Sequence, residues 1–172
     1  MQQKQLDIPR FYCEEYAPRK SKYCILIPII NEGQRIHHQL ERAKESCINT
    51  LCDIVICDGG STDGSTDKKS LSDLGVNTLL IKQDIGKQGA QLRMGFWWAL
   101  QRGYNGIITI DGNNKDSIED VPRFIYKLEQ GYDFVQGSRF IPGGHAIHTP
   151  ISRYMACLLY TSIEHTAPQK SY

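Results

Sequence analysis

The chain has 172 residues, with 20 Lys plus Arg against 19 Asp plus Glu and a formal charge of +1; that is the size of one ordinary domain, able to bury a core without disulfides or a structural metal. The balanced charge excludes a nucleic-acid-coating protein, whose footprint is strongly basic, and an acidic disordered chain. The apolar runs are a few residues long, far short of the ~20 needed to span a bilayer, and the opening Met1-Gln2-Gln3-Lys4-Gln5-Leu6-Asp7 lacks the apolar stretch of a signal peptide.

Residues 1–21 are polar, carry Pro9 and Pro18, and read as an N-terminal arm, packed on the surface or loose. Cys24-Ile-Leu-Ile-Pro28 is a short β-rich apolar run, the first predicted strand. Gln34 to Ser46 follows with Ile36, Leu40 and Ala43 at helical spacing. Asp53-Ile-Val-Ile-Cys57 is a second buried-strand run, stopped by the dense turn signal Asp58-Gly-Gly-Ser-Thr-Asp-Gly-Ser65. Lys68 to Leu74 reads as a short helix and Asn77 to Ile81 as a third strand. Gly89 to Gln101 is a helix with Leu92, Phe96, Ala99 and Leu100 as its apolar face. Gly106-Ile-Ile-Thr-Ile110 is a fourth strand, cut off by Asp111-Gly-Asn-Asn114. Ser117 and Asp120 have the spacing of a variant capping box for a helix running to Gln130, with Pro122 in its first turns. Asp133-Phe-Val-Gln136 is read as a fifth strand. Repeated strand, helix, strand units with short connections predict an α/β fold, a mainly parallel sheet flanked by helices on both faces.

The cysteines, Cys13, Cys24, Cys47, Cys52, Cys57 and Cys157, include no C-x-x-C pair, and no His stands at zinc-finger spacing. They read as reduced, mostly structural thiols, which implies a cytoplasmic compartment. Trp97 and Trp98 are adjacent on a helix and face different ways, so at least one belongs to the core. His37 and His38 read as helix surface.

In an open parallel sheet, ligands bind outside the carboxyl ends of the strands, and the unusual polar residues collect there. Asn31 and Glu32 follow the first predicted strand, Asp58 ends the second, Asp111 and Asn113 end the fourth, and Ser138 and Arg139 end the fifth. Any one of these loops is explained by turn chemistry alone; their convergence favours a nucleotide site. Asp58 can accept a base N–H. Asp111 and Asn113 offer hard oxygen ligands for Mg²⁺ or Mn²⁺ bound to phosphates. Arg139 can add a bidentate phosphate contact.

The motifs Ile27-Pro28-Ile29-Ile30-Asn31-Glu32, Asp58-Gly-Gly-Ser-Thr-Asp-Gly-Ser65, Gly86-Lys87-Gln88-Gly89-Ala90, Asp111-Gly-Asn113 and Gly137-Ser138-Arg139-Phe140, then Pro142-Gly143-Gly144, resemble family 2 glycosyltransferases. The likeness is to the dolichyl- and polyprenyl-phosphate sugar transferase branch and covers about residues 22–155. It implies a GT-A fold, a nucleotide-diphosphate sugar donor, a divalent metal and transfer with inversion. By position, it assigns Pro28, Asn31 and Glu32 to the first nucleotide-contacting loop and Asp58 to base recognition, with Asp63 in the same loop. It places Lys87 and Arg93 beside the segment that closes on the donor. Asp111 matches the first Asp of the D-x-D metal motif. The second Asp is here Asn113, a neutral ligand, and Lys115 replaces another metal-side position, a departure that bears on metal dependence. Arg139 and Arg153 match a pair that faces the acceptor phosphate. His145 and His148, in the Pro-Gly-Gly region, are candidates for a metal shell or a phosphate contact beside the plainer reading as exposed loop histidines.

A hydroxyl acceptor needs a general base within reach, yet after Arg139 the only carboxylate is Glu164. An anionic polyprenyl phosphate, or another envelope-precursor phosphate, needs positioning by cations instead. The expected function is therefore sugar transfer from a nucleotide to such a lipid. An amphipathic surface or a further C-terminal segment would give peripheral contact with the inner membrane face. Two alternatives stand beside it: a non-catalytic nucleotide-binding fragment, and a sugar-phosphate nucleotidyltransferase, whose Gly-rich loop with Arg and Lys is not supplied by Ile29-Ile-Asn-Glu32. Residues 22–156 are taken as the catalytic domain, incomplete at its C-terminus. Cys157-Leu-Leu-Tyr-Thr-Ser162 matches one reading frame of a common transposon sequencing adapter, which marks 157–172 as a doubtful, non-native tail.

Overall fold

The structure is a computed structural model in which residues 7–137 are described. The chain divides after Asp133 into two units; every element below belongs to the first. The strands are β1 (Phe11–Glu15), β2 (Tyr23–Ile29), β3 (Asp53–Asp58), β4 (Thr78–Lys82) and β5 (Gly106–Thr109), and they form a five-stranded sheet in the order β1-β4-β3-β2-β5. The helices are α1 (Gln34–Glu45), α2 (Ile48–Leu51), α3 (Lys68–Asp73), α4 (Gln88–Gln101) and α5 (Val121–Glu129), with a 3₁₀ turn over Ile118–Asp120.

Every residue of β2 and β3 is buried, as expected of central strands covered on both faces. Their side chains alternate between two cores. Ile25, Ile27, Ile54 and Ile56 meet Ile36 and Leu40 of α1 and Val121 of α5 on one face. Cys24, Leu26, Val55 and Cys57 meet Met94, Trp98 and Ala99 of α4 on the other. β2, β3 and β4 run parallel, and β5 joins the opposite side of β2, also parallel. The chain order therefore reverses between β2 and β5. Pro28 lies in β2 at no cost to the β5 ladder, because β5 is in register only as far as Leu26.

Several sequence expectations differ from the structure; Ser117, for one, makes no side-chain cap bond, and α5 begins only at Val121. Residues 11–15 form a strand, antiparallel to β4, with Phe11 opposite Lys82 and Glu15 opposite Thr78. Phe11 and Cys13 pack inward, while the intervening Tyr12 is exposed, the half-buried alternation of an edge strand. Conversely, residues 133–136 are not a strand: Phe134 is exposed, and no ladder among the described residues includes them. The buried face of α4 is Ala90, Gln91, Met94, Gly95, Trp98 and Ala99, whereas Phe96 and Leu100 point outward. The reason is close approach: a Cβ on Gly95 would lie 2.7 Å from Cys57 Sγ and 2.9 Å from Leu26 Cδ1. Small residues let the helix sit down on the sheet, and the larger ones turn away.

Trp98 joins the core, and Trp97 packs edge-on against Phe11. Cys24, Cys52 and Cys57 are buried free thiols. Burial pushes the thiols of Cys24 and Cys52 up to about 12, and that of Cys57 further. His38 is exposed, as read from the sequence; His37 is half-buried, and its Nε2 is buried without a hydrogen bond.

Candidate functional site

A cleft of about 310 Å³ opens where the strand order reverses, the place a doubly wound sheet offers a ligand. It is walled by Pro28, Ile29, Ile30 and Glu32 after β2, Gly59 after β3, Gly86, Lys87, Gln88 and Gln91 at the start of α4, and Asp111, Gly112 and Asn113 after β5. Of the sequence-predicted residues, Pro28, Glu32, Lys87, Asp111 and Asn113 are thus brought together. Asn31, Asp58, Asp63 and Arg93 are not among the lining residues. Arg139 and Arg153, with Ser138, His145 and His148, lie outside the described residues.

Asp58 is 1% exposed, and its carboxylate is occupied by its own turn. It accepts the Gly60 N–H at 2.8 Å, the Ser61 N–H at 3.0 and 3.1 Å, and the Ser61 hydroxyl at 2.6 Å. This organises the Asp-Gly-Gly-Ser turn, whose Gly60 has a φ of 102°. Asn31, itself at φ 51°, ties the loop after β2 to this turn. Its N–H donates to Ser61 Oγ at 2.9 Å, and its Oδ1 accepts the Thr62 N–H at 2.9 Å. Ser65 extends the seam by accepting the Gly33 N–H at 2.7 Å. The Ser65 hydroxyl also donates to Asp63, which holds that carboxyl below its usual range. Asn31, Asp58 and Asp63 shape the cleft wall from behind.

The loop after β5 is held from several sides. Gln88 Nε2 donates to Asp111 Oδ1 at 2.6 Å. Asn113 Oδ1 accepts the Lys115 N–H at 3.0 Å. Asn114, at φ 59°, donates its N–H to Gln39 Oε1 at 3.0 Å and accepts Arg42 Nη1 on its own Oδ1 at 2.8 Å. Arg42 is held in turn by Glu119 through bonds of 2.7 and 2.6 Å. That contact keeps the Glu119 carboxyl below and the Arg42 guanidinium above their ordinary values. Gly112 is required by contact: a Cβ there would stand 2.4 Å from Ile29 Cγ2 and 3.1 Å from the Pro28 carbonyl oxygen.

Glu32 Oε2 sits 2.9 Å from Arg35 Nη2 but is buried without a hydrogen bond; the contact is an ion pair of poor hydrogen-bond geometry. Lys87 is exposed at the cleft and makes no ion pair among the described residues. Arg93 turns elsewhere: its Nε donates to the Asp7 carbonyl at 2.9 Å and its Nη2 to the Asp7 carboxylate at 3.0 Å.

No group of three or more His, Cys, Asp or Glu among the described residues could form a metal cage. A cation shared with a substrate diphosphate needs only one or two protein ligands. Asp111 and Asn113 fit that demand: Asp111 has one of its two oxygens bonded to Gln88, and the single side-chain oxygen of Asn113 accepts the Lys115 N–H and keeps a second lone pair.

Two glutamines take roles at the site that the sequence does not assign to them, Gln88 within its quoted motif and Gln91 outside any. Gln88 reaches Asp111. Gln91 lies on the buried stripe of α4, 3% exposed, and its Nε2 donates to the carbonyls of Ile29 at 2.6 Å and Cys57 at 2.8 Å. An uncharged polar residue in register with Met94, Gly95 and Trp98 was the available signal.

A family model described as glycosyl transferase family 2 matches residues 24–166. The undecaprenyl-phosphate mannosyltransferase of Micrococcus luteus is 31% identical over 133 residues, covering 76% of this chain and 53% of that protein. The polyprenol monophosphomannose synthase of Mycolicibacterium smegmatis is 28% identical over 132 residues, 75% of this chain and 49% of that protein. The undecaprenyl-phosphate 4-deoxy-4-formamido-L-arabinose transferase of Proteus mirabilis is 27% identical over 121 residues, 67% of this chain and 36% of that protein. The chain thus spans about half the length, or less, of these curated relatives.

Proposed function

The chain belongs to glycosyl transferase family 2, and from that premise we propose that it binds a nucleoside-diphosphate sugar and transfers the sugar, with inversion, to a polyprenyl phosphate. The observation that carries this is the cleft at the strand-order reversal, where Asp111 and Asn113 share one cavity with Lys87. Hard oxygen ligands and an ammonium without an ion pair among the described residues, in one cleft, suit a diphosphate.

In this reaction an acceptor phosphate oxygen attacks the anomeric carbon in line. The bond from that carbon to the diphosphate breaks, and the nucleoside diphosphate leaves. The nucleophile is already anionic, so no side chain has to take a proton from it. Lys87 offers positive charge to the diphosphate. Asp111 and Asn113 would hold Mg²⁺ or Mn²⁺, and the ion when bound would supply positive charge to the leaving diphosphate. Gln88 orients Asp111, and the Asn31–Ser61 seam keeps the loops after β2 and β3 at a fixed spacing. Arg139 and Arg153 are assigned to the acceptor phosphate on the family likeness.

Among the described residues no helix is long and apolar enough to cross a membrane. A polyprenyl acceptor stays in the bilayer, so the proposal includes peripheral contact at the cytoplasmic membrane face.

The test is a thermal-shift panel of UDP- and GDP-sugars, with and without Mn²⁺, since a ligand that binds only the folded state raises apparent stability. One donor class should raise Tm, and Asp111→Ala should abolish the rise. Transfer to a polyprenyl phosphate should exceed transfer to a hydroxyl acceptor. No response to any donor would overturn the proposal.

A further inference from the structure

A pair of glutamines fastens the first turn of α4 to the walls of the cleft. Gln91 is 3% exposed, and a buried amide is costly unless its polar atoms are bonded. Its NH₂ group donates to the carbonyl of Ile29, the last residue of β2, at 2.6 Å and to that of Cys57, near the end of β3, at 2.8 Å. These carbonyls belong to neighbouring strands, so one side chain spans the end of the β2–β3 ladder. Gln88, on the same side of the helix by its spacing, donates to Asp111 in the loop after β5 at 2.6 Å. Gly59 leaves room for the clasp, since a Cβ there would come 3.0 Å from Gln91 Nε2.

Lys87 is the charge that this turn carries. It is the N-cap of α4, and its carbonyl accepts the backbone N–H of Ala90 at 2.8 Å and of Gln91 at 3.4 Å. The Lys87 side chain is exposed at the cleft and makes no ion pair among the described residues. The connection around it is exposed from Ile85 through Gly89. The place of Lys87 therefore depends on how the turn behind it is anchored, and the buried polar anchor of that turn is the Gln91 amide.

Resting on the diphosphate reading of the cleft, we propose that Gln91 is a positioning residue: by clasping Ile29 and Cys57 it sets where Lys87 stands, and through Lys87 it sets the affinity for the donor's diphosphate. Both amide protons stay on the protein, and the ligand feels Gln91 only through Lys87. Without the clasp the first turn of α4 is tied through Gln88 alone, and binding has to order the turn as well as hold the anion.

The test is a double-mutant cycle of Gln91→Met and Lys87→Ala, read by calorimetric titration of the full chain with UDP and GDP in Mg²⁺. Methionine keeps the reach of glutamine and adapts to a buried site, but donates nothing. For the nucleotide that binds, each single change should weaken binding by about tenfold, and the double change by little more than either alone. Additive losses, the result of a general loosening of the fold or of direct contact between Gln91 and the ligand, overturn the proposal and leave the nucleotide site standing. Wild-type binding by either single variant does the same. A measurement on the wild-type chain stands beside the cycle. In ¹⁵N-labelled protein, the side-chain amide protons of Gln91 should be protected from solvent exchange both without and with the nucleotide. Loss of that protection on binding means that they are redirected to the ligand and overturns the proposal, and this result decides where Gln91→Met does not fold or no longer binds. Binding of neither UDP nor GDP to wild type overturns this proposal together with the nucleotide-site reading.

Discussion

Arg42 and Asn114 are joined across the domain: the guanidinium Nη1 on α1 donates at 2.8 Å to the side-chain oxygen of a residue held at φ 59° in the loop after β5. A helix on one face of the sheet thereby fixes the loop that presents Asp111 and Asn113. Asn tolerates the left-handed region better than most residues. Asn114→Ala should lose stability by about 1–3 kcal/mol, combining backbone strain with the lost contact. Asn114→Gly should lose less, because it keeps the backbone while giving up Arg42. Urea denaturation of the three proteins checks the order.

The Arg42–Glu119 pair makes a prediction about acid. Its hydrogen bond lowers the Glu119 carboxyl from an ordinary value of 4.5. The unfolded carboxyl titrates near that ordinary value, so the pair's contribution is complete above it and is lost as pH falls through the lower folded value. Wild type should exceed Glu119→Gln in stability at pH 7 by no more than about 1 kcal/mol, since both partners are partly exposed. The gap should close as the pH is taken below 4.5. Asp63, Asp67 and Asp84 are shifted in the same direction by hydrogen bonds, so the residual acid sensitivity of Glu119→Gln should have the same sign. Denaturation curves from pH 3 to 7 test both statements.

Two glycines separate folding from binding. Gly95→Ala forces a methyl against Cys57 Sγ and Leu26 Cδ1 and should cost about 1–3 kcal/mol of stability by overpacking. Gly112→Ala presses on Ile29 Cγ2 and the Pro28 carbonyl, so it displaces the Asp111 loop. It should lose donor-induced thermal stabilisation even where the unliganded protein keeps its fold. Equal donor response in Gly112→Ala and wild type would contradict this placement of the loop.

Thiol chemistry should be sharply graded. Cys47 is exposed, while Cys24, Cys52 and Cys57 are buried with thiols pushed far above their ordinary values. The thiolate is the reactive form. Iodoacetamide at pH 7.5 should therefore modify Cys47 first among these, and the buried three only in denaturant. Peptide mapping by mass spectrometry reads the order.

Much of this architecture was legible in the sequence, for identifiable reasons. The runs at Cys24–Pro28 and Asp53–Cys57 are too apolar and too short for anything but central strands, and turn residues mark their ends. The polar residues after β2 and β5 were visible because a parallel sheet gathers them at one edge. β1 was hidden because an edge strand needs only half its residues buried, and Glu14 and Glu15 mask the alternation. On α4, Ala99 is buried as its spacing predicts, but Phe96 and Leu100 are exposed: large apolar residues outrank glycine and alanine in any hydrophobicity count, while close packing on a sheet demands the small ones. Asp58 matched a family pattern by position, yet its bonding depends on how the Gly60–Ser61 turn folds back, a tertiary fact. The Gln91 clasp joins carbonyls from two strands and has no local signature beyond a polar residue on a buried stripe.

The pairing of β1 with β4 also bears on how the protein is made. The strand nearest the N-terminus has its partner beyond β2, α1 and β3, with Phe11 facing Lys82. On the ribosome it leaves the tunnel early and waits, while β2 and β3 already have each other. Non-local pairing of this kind is slow to form. β1 can therefore take its place only once β4 has been made, after β2 and β3 are both available to pair with each other.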